Sequence, residues 1–243
     1  MRKSPALVRL TVSAVLAIVL LIGCGPAAPQ AVLVPALAPA AAAATGTEPA
    51  ETVLLIGDSQ SEPADSWPRR ALSAAGYAVH FCGRGGTGFV AANGSAGNYP
   101  DALHDGDWKL PGEAPELIVI QGGGNDAAQG ASNRQISANA DRLIDELQER
   151  YPEAEIAMIG TLARSANDGG GRRSEVDALL GKVAAEHGLP FVAVGDWLTR
   201  YGLARYLADA VHLNPVGNKA TGTLLEKRLR DLHLENGLPD PGP

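Results

Sequence analysis

Five short apolar runs punctuate the chain after residue 50, and each stops within two residues of a glycine. They are residues 52–56 (TVLLI) before Gly57, 78–82 (AVHFC) before Gly83, 116–120 (ELIVI) before Gly122, 155–159 (EIAMI) before Gly160 and 191–194 (FVAV) before Gly195. Runs of this length, apolar at consecutive positions, suit parallel strands buried on both faces better than half-exposed ones. Between them the apolar spacing changes to the helical one. Ser132 and Gln135 form a capping-box pair ahead of Ile136, Ala140, Leu143, Ile144 and Leu147. A second stripe comprises Val176, Leu179, Leu180, Val183 and Ala184, stopped by Gly188 and Pro190. Asn214 and Pro215 open a last helix as cap and first turn, with Val216, Ala220, Leu224 and Leu225 in its inner stripe. A weaker helix is predicted over 65–75.

Strands alternating with helices predict an open α/β sheet covered on both faces. In such sheets ligands bind beyond the carboxyl ends of the strands, so chemistry is sought just after each run.

The first 50 residues have a different pattern. Residues 1–23 read as an export signal: Arg2, Lys3 and Arg9 precede an apolar run over 10–22, too short to span a bilayer. The run ends in Leu21-Ile22-Gly23-Cys24, which resembles the bacterial lipobox, and this implies a lipidated Cys24 as the first mature residue. A plain signal or uncleaved anchor is the alternative. Residues 25–50 hold 11 Ala and 5 Pro, with Glu48 the only charge. Residues 24–50 are therefore expected to be a lipidated tether, reaching roughly 28 Å as a coil and about 80 Å as extended polyproline. The folded body is expected over 51–236, with a disordered tail at 237–243.

Composition then narrows the function. The chain has 243 residues, 45% of them apolar and 19% charged, and a formal net charge of −7. That permits a real core and argues against nucleic acid as a partner. Loss of residues 1–23 removes three positive charges and no acid, taking 220 residues to −10. The two cysteines are Cys24 and Cys82; with Cys24 acylated no intramolecular disulfide can form, and Cys82 reads as a buried, inert thiol.

The residues after the strands are Gly57-Asp58-Ser59-Gln60-Ser61, Gly83-Arg84-Gly85-Gly86-Thr87-Gly88 and Gln121-Gly122-Gly123-Gly124-Asn125-Asp126. Asp209-Ala210-Val211-His212 precedes the last helix. This series, with Ser66-Trp67-Pro68, resembles the SGNH (GDSL-type) hydrolases. Their blocks are a Gly-Asp-Ser start, a glycine after the second strand, a Gly-x-Asn-Asp and a late Asp-x-x-His. Gln60-Ser61 departs from the pattern, whose continuation is usually apolar or Thr-like. The resemblance implies a three-layer α/β/α, flavodoxin-like fold with strand order 2-1-3-4-5.

It also implies a serine esterase or acylhydrolase with Ser59 as nucleophile, His212 as base and Asp209 orienting it. The chemistry fits those residue types. A serine hydroxyl needs an adjacent base, an imidazole supplies one near neutral pH, and a carboxylate holds its tautomer. The backbone N–H groups of Ser59 and Gly86 and the Asn125 amide are the expected oxyanion donors. Gly85 is the near alternative to Gly86.

Blander readings compete at several positions. Ser59 could be a turn residue, Ser61 a helix cap, and Asn125 a turn residue among glycines. Asp58 and Asp126 read as structural. Among the other histidines, His80, His187 and His233 read as surface or packed residues; His104 is the serious rival. Gly83, Gly85 and Gly88 fit a dinucleotide-binding spacing but no clear helix follows. Gly94-Ser95-Ala96-Gly97 is a near miss to another esterase elbow, without a preceding strand, and reads as a flexible loop. No spacing suggests a zinc or calcium site, and neither metal nor organic cofactor is implied.

The expected protein is a monomeric, exported, outward-facing esterase anchored to the membrane through Cys24. A small-molecule, lipid or polysaccharide ester is its expected substrate, with short acyl or O-acetyl groups favoured. The segment 90–115, with Tyr99 and Trp108, is expected to wall the site. An O-acyltransferase and a non-catalytic surface binding lipoprotein are the alternatives.

Overall fold

The computed structural model describes residues 51–236. The leader, Cys24, the tether and the 237–243 tail lie outside the described residues.

Five parallel strands form one sheet in the order β2-β1-β3-β4-β5. They are β1 (Thr52–Gly57), β2 (Ala78–Gly83), β3 (Leu117–Gln121), β4 (Glu155–Ile159) and β5 (Phe191–Val192). The helices are α1 (Trp67–Ala74), α2 (Tyr99–His104), α3 (Gly124–Ala128), α4 (Asn133–Arg150), α5 (Gly171–Glu186), α6 (Trp197–Arg200) and α7 (Pro215–Asp231). Helices cover both faces of the sheet. Because side chains alternate along a strand, β1 feeds two cores. Val53 and Leu55 pack with Trp67, Leu72, Leu225 and Leu229 from α1 and α7. Leu54 and Ile56 pack with Ile136, Leu143, Val176 and Leu180 from α4 and α5. This is the expected three-layer fold and strand order.

The expectation of five fully buried strands is corrected at the edges. Only Cys82 of β2 is buried, because β2 has a neighbour on one side alone. The segment after α2 covers its outer part, where the Lys109 carbonyl lies 2.6 Å from His80 Nε2. Burial pushes the Cys82 thiol up to about 11, so it stays protonated at neutral pH. At the other edge β5 ends at Val192. The Val194 N–H instead donates to Asp177 Oδ1 at 3.1 Å, so a side chain replaces the ladder there. The segment 90–115 contains the short helix α2, capped by Asn98, whose side chain accepts from the Asp101 N–H.

The α4 capping box forms as expected: the Ser132 hydroxyl accepts from the Gln135 N–H, and the Gln135 side chain accepts from the Ser132 N–H. In α7 the Asn214 side chain accepts from the Gly217 N–H at 2.9 Å and Pro215 follows the cap. The inner stripe, however, is Gly217, Thr221, Leu225 and Leu229, and Val216 is 59% exposed. Small residues let α7 close on α1: a Cβ on Gly222 would lie 3.1 Å from Arg70 Cβ. Of the expected stripe Leu225 is buried and Ala220 and Leu224 pack partly buried against the core, so only Val216 falls outside.

Candidate active site

The turn after β1 raises Ser59 at its apex. The Asp58 carbonyl accepts the N–H groups of Ser61 and Glu62, both at 2.9 Å, and Asp58 Oδ1 accepts the Gln60 N–H at 2.8 Å. These bonds close the turn and leave the Ser59 N–H with no acceptor among the described residues. Ser61 does not cap a helix, since the residue before α1 is Ser66. Its hydroxyl donates to Gln121 Oε1 at 2.6 Å, joining the turn to the end of β3.

The second part of the site is the Asp209–His212 loop. Asp209 Oδ1 accepts the N–H groups of Val211 (2.8 Å) and His212 (2.7 Å), while Oδ2 lies 2.8 Å from His212 Nδ1. One carboxylate therefore folds the loop and holds the ring. The His212 N–H, then the Val211 N–H, then the His212 ring keep the Asp209 carboxyl well below the usual carboxylate range. An ionised carboxylate only accepts, so Nδ1 carries the hydrogen and Nε2 keeps its lone pair. His212 Nε2 lies 2.8 Å from Ser59 Oγ.

Three further contacts pin this loop: the Ala208 N–H donates to the His212 carbonyl and the Asn214 N–H to the Tyr206 carbonyl, both at 2.8 Å. Gln60 Nε2 donates to the Val211 carbonyl at 2.9 Å, while Gln60 Oε1 accepts from Trp67 Nε1 at 3.2 Å. Gln60, the departure from the family pattern, thus ties the two halves of the site together.

The loops after β2 and β3 complete the surroundings. Gly86 has φ +83°, a left-handed conformation that favours glycine. Its N–H has no acceptor among the described residues, whereas the Gly85 N–H donates to Glu62 Oε2 at 3.0 Å. Of the two candidate donors, Gly86 is the one left available. Asn125, at the start of α3, donates through Nδ2 to the Thr87 carbonyl at 2.9 Å and to Asp58 Oδ2 at 3.3 Å. The first contact fixes the amide, and the second is long for a bond to a carboxylate. Asp58 is buried, and burial pushes its carboxyl up to about 6 against the opposing effects of the Gln60 N–H and the Arg173 guanidinium.

Asp126 is structural, though its contacts reach beyond its own loop. Its carboxylate accepts the N–H groups of Phe89 (3.0 Å), Val90 (2.6 Å) and Ala91 (2.8 Å), so it anchors the loop that follows β2. Sequence reasoning gave no role to Arg173, whose guanidinium donates to the carbonyls of Gly124 (3.3 Å) and Leu162 (3.2 Å) below the Asn125 loop. A buried Asp inside the α5 apolar stripe, Asp177, was the other unread signal. Tyr99 is not a wall of the site: it is fully buried and its hydroxyl donates to the Gln121 carbonyl at 3.1 Å. Trp108 packs against it and helps line a cavity of about 290 Å³ with Gly83, Arg84, Ser95 and Asp107.

The other histidines lie elsewhere. His104 faces Glu146 at 3.7 Å, His187 Nε2 faces Asp141 at 3.0 Å, and His233 follows α7 with φ +58°. Gly83, Gly85 and Gly88 lead to no helix before Tyr99, so they supply no helix N-terminus for a pyrophosphate. Ser95 sits in a tight turn bridged by Asn93 and Ala96. Among the described residues, no group of three or more His, Cys, Asp or Glu is placed to hold a metal ion.

A model of the GDSL-like lipase/acylhydrolase family matches residues 44–220. No curated protein matches the chain. Among solved structures, a carbohydrate esterase family 2 enzyme with a carbohydrate binding domain from Corynascus thermopiles (Myceliophthora fergusii) is similar at a TM-score of 0.60 and 19% identity, over 78% of this chain and 68% of that one. A family two carbohydrate esterase from Cellvibrio japonicus gives 0.58 and 17%, over 75% of this chain and 61% of that one. A lipolytic G-D-S-L family protein from Veillonella parvula gives 0.52 and 18%, over 74% and 97%. At these identities the likeness is one of fold. The family model spans most of the chain, and the chain belongs to the GDSL-like lipase/acylhydrolase family of carboxylic ester hydrolases.

Proposed function

We propose that Ser59 is the nucleophile of an acyl-enzyme mechanism acting on short acyl or O-acetyl esters. The observation that carries this reading is the continuous chain from Ser59 Oγ to His212 Nε2 and from His212 Nδ1 to Asp209, with both contacts at 2.8 Å. Ser59 Oγ bonds to the ester carbonyl carbon as His212 Nε2 takes the hydroxyl proton. The carbonyl oxygen gains the negative charge and turns toward the N–H groups of Ser59 and Gly86 and the Asn125 amide, which gives up its 3.3 Å contact with Asp58 Oδ2 to donate there. Collapse breaks the bond to the leaving oxygen, which receives the proton from His212. Water then repeats the sequence at the acyl carbon, with His212 as base, and frees the carboxylic acid and Ser59. Asp209 stays ionised and stabilises the imidazolium. Each oxyanion donor is worth about 3–4 kcal/mol of barrier.

The openness of the site supports a small acyl group on a larger carrier. The Asp209 and His212 side chains are 55% and 41% exposed, so the chemistry sits at a surface that a polymer can approach. A Butyrivibrio proteoclasticus acetyl xylan esterase shares the fold at a TM-score of 0.56 and 13% identity, which suits an O-acetyl polysaccharide substrate. The lipobox-like Cys24 and the tether would hold such an enzyme to the membrane, facing outward, at the envelope. Hydrolysis by the full chain of a panel of activated esters and acetylated polysaccharides tests the substrate range. An organophosphonate should label Ser59, and Ser59→Ala should abolish turnover. A folded, fully active Ser59→Ala sinks the assignment. For the anchor, Cys24→Ala should release the protein from membranes or leave an unprocessed precursor; normal processing with unchanged attachment contradicts it.

A further inference from the structure

The Gly85–Gly86 peptide is gripped from its carbonyl side. Asn93 Nδ2 donates to the Gly85 carbonyl at 2.8 Å. That carbonyl and the Gly86 N–H belong to one planar trans peptide and point in opposite directions, so fixing one aims the other. The preceding peptide is held as well, through the Gly85 N–H and Glu62 at 3.0 Å. Gly86 is fitted to this grip, since a Cβ there would lie 2.8 Å from Asn93 Nδ2. Asn93 is itself set by a tight turn: its N–H donates to the Ala96 carbonyl at 3.0 Å, and the Ala96 N–H donates back at 3.1 Å. The Gly85 segment lies against the nucleophile, as a Cβ on Gly85 would come within 3.4 Å of Ser59 Cβ.

We propose that Asn93 is a positioning residue for the oxyanion hole, holding the Gly85–Gly86 peptide so that the Gly86 N–H faces the charge developing on the substrate. The proposal rests on the reading of Ser59 as nucleophile. The side chain of Asn93 is exposed and neutral, so its bond adds little to folding stability. Its effect should instead appear in catalysis, where donors preorganised for a developing charge count most. The loop at 94–97 is the turn that closes Asn93 onto Ala96.

The test compares Asn93→Asp and Asn93→Ala with the wild type, using the full chain. Asn93→Asp keeps the side-chain shape but has no hydrogen to donate at neutral pH. Both variants should lose about 10- to 100-fold in kcat/KM on a short activated ester, less than deletion of a donor, with unchanged melting temperature. A boronic acid, which forms a tetrahedral adduct, should lose affinity by the same factor, while an unreactive amide analogue should bind within about twofold of wild type. Full activity of Asn93→Asp overturns the proposal, and so does equal loss of boronate and amide binding. The wild-type arm separates the two levels: if the phosphonate leaves wild-type Ser59 unlabelled and no ester is cleaved, the nucleophile reading fails, and the role of Asn93 falls with it.

Discussion

Gln60 Nε2 donates to the Val211 carbonyl at 2.9 Å across 151 residues of sequence. The Val211 carbonyl shares its peptide with the His212 N–H, which donates to Asp209 at 2.7 Å. The residue after Ser59 therefore holds the peptide that presents His212. Replacement by leucine removes this tie and leaves Trp67 Nε1 without its partner in the core. Gln60→Leu should lower kcat about 3- to 10-fold and cost about 1–3 kcal/mol of stability, the penalty for an unsatisfied buried donor. Steady-state kinetics with thermal melting checks both, and a variant unchanged in both would show that the loop holds without Gln60.

Asp209→Asn should reverse the tautomer logic. An amide can keep the Val211 and His212 N–H bonds only with its oxygen toward them, which turns its NH₂ toward His212 Nδ1. Nε2 would then carry the hydrogen and could not accept the Ser59 proton. The expected fall in kcat is about 10²- to 10⁴-fold, at the lower end because water reaches this exposed pair. A fall of less than threefold would mean that His212 is oriented by something else.

Asp126→Asn should loosen the loop that follows β2. Three N–H groups converge on this carboxylate, and an amide presents one acceptor and adds a donor facing donors. A loss of about 2–4 kcal/mol is expected, concentrated in faster hydrogen exchange at residues 89–91. Unchanged protection at those three amides would contradict the anchoring role.

Asp177 predicts a pH dependence of stability. Burial pushes its carboxyl up to about 6, against the lowering by the N–H groups of Val194, Gly195 and Thr161. Its unfolded value is 3.8, so between the two the native state binds more protons than the unfolded chain. This group's contribution to stability is complete below pH 3.8 and declines as pH rises through about 6. Asp177→Asn cannot titrate. Whatever it loses in hydrogen bonding, it should gain on the wild type by up to about 3 kcal/mol between pH 4 and pH 7. Melting curves across that range test the slope, and a constant difference would rule out the raised carboxyl.

Val216→Ser should change stability by less than about 0.5 kcal/mol, while Leu225→Ala should cost about 2–5 kcal/mol. Chemical denaturation of the two variants checks that Val216 stands outside the inner stripe of α7 while Leu225 stands within it.

Whatever depends on neighbours along the chain is legible before any folding. Apolar runs closed by glycine marked all five strands, the Ser132–Gln135 pair marked the start of α4, and Asn214-Pro215 marked the start of α7. Asp209 and His212 are three residues apart, so their pairing is a local turn and was legible. Tertiary structure decided what depends on distant segments meeting. Ser59 and His212 are 153 residues apart, and they come to 2.8 Å only once α7 packs on α1 and Gln60 holds the Val211 carbonyl. The choice of Gly86 over Gly85 turned on Glu62 engaging the Gly85 N–H. The tasks of Gln60, Ser61, Asp126 and Asp177 are likewise invisible in spacing, because each bonds polar groups of a segment distant in sequence. A polar side chain at such a position carries no periodicity, and its partner exists only once the ends of the parallel strands lie side by side.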